Sequence, residues 1–125
     1  MSFAIQLDQE QSLINTKLMG EITPDIALEF FQELLHKSQS SGINKIFSDA
    51  TELKLARPIE EFGALPSQLL DLGFPKSHKR AILVANESDN FKVWENMLFK
   101  SGFHGVKLFW NEEKAREWLM SAEAG

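Results

Sequence analysis

The chain predicts an α/β protein. It has a mixed β-sheet, with an N-terminal antiparallel hairpin followed by parallel strands, covered by about four helices. Three observations predict this. Ala81 to Ala85 are apolar without a break and the chain then turns polar at Asn86, as when a strand buried on both faces hands over to a helix. Apolar runs further along alternate with helical periodicity, so successive strands are joined by crossovers and lie parallel. The first two strand-like runs are separated only by the turn-like Asp8-Gln9-Glu10-Gln11, which favours a hairpin.

Taken in order, Phe3, Ile5 and Leu7 alternate with Ala4 and Gln6, a half-buried strand, and residues 13–19 form its partner. Thr23-Pro24-Asp25 is a helix start, with threonine as N-cap, proline in the first turn and an acid near the positive end. Ile26, Phe30 and Leu34, flanked by Ala27, Phe31 and Leu35, give the helix a broad apolar face, and Gly42 closes it. Residues 44–50 read as a strand that leaves the core at Asp49. Between Arg57 and Leu72, Gly63 and Pro66 break the pattern into short helical pieces at 58–64 and 67–72. Residues 73–78 lead into the strand about which the chain is wound. Ser88 is expected to cap a helix with Phe91, Trp94 and Leu98 as its buried stripe. Val106–Trp110 is the last strand and Asn111 caps the last helix.

At 125 residues the chain fits a single domain, 1–125, large enough to bury a core without staples. It has no cysteine, which removes disulfides, thiolate metal sites and thiol catalysis. A formal charge of −5 argues against a nucleic-acid partner. The N-terminus lacks the pattern of a signal peptide and no apolar run approaches membrane-spanning length, so a soluble, cytoplasmic protein is expected.

The hairpin, the Thr23-Pro24 helix start, the Ile46–Asp49 and Arg80–Val84 strands, and Val106–Trp110 followed by Glu112-Glu113-Lys114-Ala115-Arg116-Glu117-Trp118-Leu119 together resemble the STAS fold. More narrowly they resemble its SpoIIAA-like branch, small bacterial proteins related to anti-sigma-factor antagonists and grouped with SEC14-like folds. The resemblance implies a non-enzymatic regulatory module acting through protein–protein contact, with a homodimer among its partners. Its SEC14 side implies the alternative of a small carrier of an apolar or lipid-like ligand beneath residues 58–74. Anti-sigma antagonists carry an Asp-Ser pair after the third strand, and that serine is phosphorylated at a helix start. The matching positions here read Asp49-Ala50-Thr51, so the phospho-switch is not carried over.

Ligands of open α/β sheets sit outside the carboxyl ends of parallel strands. Those ends give Asp49 and Thr51, then Asn86, Glu87 and Ser88, then Asn111. Capping explains most of them, Asp49 least. Phe62, Leu65, Leu69 and Phe74, with Leu70 and Leu72, are too many for short helices to bury alone. They are read as core, then subunit contact, then pocket lining. The basic cluster Lys76, His78, Lys79 and Arg80 reads as a solvated loop. His36, His78 and His104 share no metal-ligand spacing, and neither a metal nor a cofactor is expected. A receiver domain would need an acidic pair after the first strand, where Leu7-Asp8 instead enters a turn.

Overall fold

The computed structural model describes residues 2–85 and 89–121. Five strands stand side by side in chain order: β1 (Phe3–Asp8), β2 (Leu13–Ile22), β3 (Lys45–Leu55), β4 (Lys79–Leu83) and β5 (Val106–Phe109). β1 and β2 are antiparallel and every later pair is parallel. The connections carry α1 (Pro24–Ser41), a 3-10 turn (Ile59–Phe62) with α2 (Leu65–Leu72), and α3 (Asp89–Lys100), and α4 (Glu112–Met120) follows β5. Right-handed crossovers that always step in the same direction put their helices on one face. Packing agrees: α1, α2 and α3 share a core with Ile14, Leu18 and Ile46 of the sheet. Ala115 and Leu119 of α4 meet Phe47, Ala81 and Leu83 on the other face. The predicted mixed sheet and its helices are therefore present. Among the described residues no helix is long and apolar enough to cross a membrane.

The helix ends follow local chemistry. Thr23 Oγ1 accepts from Ile26 N at 3.2 Å. Gly42, at φ 75°, takes the left-handed conformation that closes α1 and that a side chain would resist. Asn111 Oδ1 accepts from Lys114 N at 3.0 Å. Pro66, expected to interrupt a helix, lies in the first turn of α2, where no intrahelical N–H is needed.

Some expectations need correction. The central strand is β3, not the apolar run at 81–85, because the sheet keeps chain order. β4 is nonetheless buried along its whole length between the helix layers. β3 does not end at Ala50 but runs on to Leu55 beside β2. The alternation of Glu52, Leu53, Lys54 and Leu55 already carried that signal. Phe99 lies outside the buried stripe of α3: it is exposed and stacks on His104 with ring centroids 4.1 Å apart.

Candidate functional site

Thr16, Ser48 and Arg80 form a polar stripe across the middle of the helix-rich face. Ser48 shares its face of β3 with Ile46, as Thr16 does with Ile14 of β2, because side chains alternate along a strand. Arg80 Nε donates to Ser48 Oγ at 2.9 Å. Thr16 Oγ1 stands 2.7 Å from Ser48 Oγ and donates to the Phe47 carbonyl at 3.2 Å. Over this stripe lie the rings of Phe30 and Phe31 from α1, with the Arg80 guanidinium carbon 5.5 and 5.1 Å from their centroids.

Arg80 is only 4% exposed. Burial pulls its guanidinium down to about 10, so it stays charged at neutral pH. Among the described residues no carboxylate pairs with it, and Ser48 is its one hydrogen-bond acceptor. A buried charge without a counter-charge costs on the order of several kcal/mol, and a ring face recovers about 1–2 kcal/mol of it.

Arg80 also lines open space. A cavity of about 60 Å³ lies between the sheet, α1 and the segment after β3, and Arg80 is its one charged lining residue. Its cover includes Ile59, Phe62 and Leu65, and Trp94 of α3 closes another side. A second void of about 20 Å³ on the other side of Arg80 is lined by Leu69, Phe74 and His78.

The basic cluster is therefore not a solvated loop. Lys76 is exposed, but His78, Lys79 and Arg80 are buried and alternate between faces at the start of β4. Lys79 turns to the α4 side, where Nζ donates to the Trp118 carbonyl and to Ser121 Oγ at 3.0 Å and lies 4.5 Å from the Trp118 ring centre. His78 packs edge-on against Phe74. Ser38 Oγ donates to the Ile43 carbonyl at 2.6 Å, so its 2.9 Å contact with His78 Nε2 has the imidazole as donor. Nδ1 is then the bare nitrogen, and it is buried without a partner among the described residues. Burial, and secondarily the charge of Arg80, lower the pKa of His78.

The residues expected at the site divide into separate groups. Phe62, Leu65, Leu69 and Phe74 are all buried, the first pair on the larger cavity and the second on the smaller. Asp49 and Thr51 lie within β3, and Asp49 shares the α4 face with Phe47. Ala50 and Thr51 together oppose Leu18 of β2, a β-bulge. The Asp49 carboxylate accepts from Thr51 N at 3.0 Å and from Thr51 Oγ1 at 2.7 Å, which satisfies the bulge's backbone. Ala50 is buried inside a strand rather than at a helix start. Asn86 and Ser88, with the cap expected of Ser88, lie outside the described residues. Sequence reasoning missed Arg80 as a site residue. The signal was a cation beside an unbroken apolar run, since a strand flanked by helices on both faces has no solvated side for it.

No protein-family model matches the chain, and no curated protein does. It is similar to the crystal structure of an uncharacterized protein of the DUF3478 family with a SpoIIAA-like fold, from Shewanella loihica PV-4. The two are 25% identical, the match covers 94% of this chain and 93% of that one, and the TM-score is 0.61. It also aligns with the phosphorylated form of SpoIIAA, a Bacillus cell fate determinant, at 13% identity over 92% of this chain and 99% of that one, with a TM-score of 0.44. The fold is SpoIIAA-like, of the STAS type, as the order of elements implied.

Proposed function

We propose that this chain is a non-enzymatic binding module that holds a small, mainly apolar molecule on its helix-rich face beneath residues 58–74. The observation that carries this reading is the apolar cavity of about 60 Å³ whose walls are shared by the sheet, α1 and the 3-10 turn. Ligand pockets are commonly apolar with a few well-placed polar groups, and this one has a single charged group, Arg80. Its volume is well below the roughly 300 Å³ at the lower end of such pockets. A ligand larger than a head group therefore enters as the cover moves outward. The cover is suited to this, because Ile59, Phe62 and Leu65 hold it by apolar contact alone, which is non-directional.

A regulatory contact with a protein, or with a second copy of the chain, is a second reading. It cannot use Phe62, Leu65, Leu69 or Phe74, which face inward. The outer side of α2, where Leu70 and Leu72 are 41% and 37% exposed, favours it. Movement of the cover would carry that surface with it and so couple ligand to partner.

Native mass spectrometry on protein purified gently from its own host tests both. The expected spectrum shows extra mass that is lost on denaturation. A bare chain would remove the ligand reading. A bare dimer would leave the protein contact in its place.

A further inference from the structure

The ligand's chemistry can be narrowed beyond an apolar body, on the premise that the pocket proposed above is a binding site. We propose that the pocket takes a small amphipathic carboxylate, with its head on Arg80 and its aliphatic or aromatic body along the apolar wall toward Trp94.

The charge of Arg80 is the first argument. The side chain is buried, faces the cavity, and has no counter-charge among the described residues. Cores seldom keep such a group, since an apolar side chain of similar volume is usually at least as stable. An anion arriving with the ligand supplies the missing partner.

Geometry is the second. A guanidinium offers five N–H donors in a flat fork, and Ser48 takes the one on Nε. The Nη donors remain, and their edge can meet two carboxylate oxygens at once. The Ser48–Thr16 hydroxyl pair fixes the plane of that fork from beneath, and Phe30 and Phe31 limit its swing from above.

Charge balance selects carboxylate over phosphate. A phosphate monoester carries close to two charges at neutral pH and three acceptor oxygens. One cation in an otherwise uncharged lining neutralises a single charge, and the rest of the wall brings no second cation. The cavity accommodates a head group and its first methylenes, and the apolar wall accepts the remainder as the cover moves.

Calorimetric titration of the purified full chain with octanoate, octan-1-ol and octyl phosphate tests this. Octanoate is expected to bind at least about tenfold more tightly than either, the ratio expected of charge-assisted hydrogen bonds. Equal binding of octanoate and octanol would keep the pocket and overturn the carboxylate. Tighter binding of octyl phosphate would also overturn it. Failure of all three to bind would overturn the pocket itself. The Arg80→Met variant is expected to lose the preference for octanoate while still taking octanol, and a retained preference would remove Arg80 from the site. The comparison of ligands on the unaltered protein decides the matter even if that variant fails to fold.

Discussion

Arg80 Nε reaches Ser48 Oγ at 2.9 Å although the two residues are not register partners: Ser48 lies beside Ile82, and Arg80 beside Ile46. The bond is a diagonal across the β3–β4 pair, and it turns the guanidinium along the sheet rather than out toward α1. That keeps the cation under the rings of Phe30 and Phe31 and beside the cavity. The arrangement leaves a buried cation with a hydroxyl acceptor and no counter-charge among the described residues.

The first prediction follows from that imbalance. Arg80→Met removes a buried charge and fills similar space with apolar atoms. Stability is expected to stay level or rise, by up to about 4 kcal/mol, in urea unfolding of the ligand-free protein. A loss of comparable size would mean that Arg80 holds the core together and that its charge is compensated. Ser48→Ala has the opposite sign. It keeps the cation and removes its acceptor, and is expected to cost about 1–3 kcal/mol.

The contrast between Arg80 and Asp49 marks how far the sequence is legible. Strand and helix order follow from apolar periodicity and from caps at Thr23, Gly42 and Asn111, which are local signals. Asp49 looks functional in sequence because no cap explains it, yet its carboxylate closes a two-residue bulge that only pairing with β2 creates. Arg80 looks like a solvated loop residue because it follows Lys76 and His78, yet the strand begins early enough to bury it. In both cases the residue's surroundings are set by the neighbouring strand rather than by its own segment.

Asp49→Ala is therefore expected to lower stability by about 1–2 kcal/mol, measured by chemical unfolding. The substitution removes the acceptor of the Thr51 N–H and hydroxyl in a half-buried bulge. Asp49→Asn keeps an acceptor and should recover much of the loss. An Asp49→Ala protein of unchanged stability would free the carboxylate for the binding role its sequence position suggests.

Gly105→Ala tests the packing of β5 against the start of β4. A Cβ on Gly105 would stand 2.3 Å from the His78 carbonyl oxygen, a backbone atom that cannot swing aside. The same junction carries the Arg80 N–H to Gly105 carbonyl bond at 2.8 Å, so relief by strand separation breaks the ladder there. The expected cost is about 1–3 kcal/mol or more, read as a lowered urea midpoint. A neutral result would show that β5 can shift without loss.

His78 gives the protein a pH dependence of definite sign. Its Nε2–H is used on Ser38, and its bare Nδ1 is buried beside Phe74 with the positive Arg80 nearby. A second proton would have no acceptor and would face a like charge, so the folded pKa lies below the ordinary value of 6.5. The unfolded chain takes up that proton first as the pH falls. The stabilisation is therefore fully present above pH 6.5. It declines as the pH drops through 6.5 toward the folded pKa, and it stops declining below that value. The steepest slope is about 1.4 kcal/mol per pH unit, the limit for one proton. Urea midpoints measured between pH 8 and pH 5 should fall in the native protein and flatten in His78→Gln, whose amide can still donate to Ser38 and does not titrate. Equal slopes in the two proteins would assign the acid sensitivity to another group.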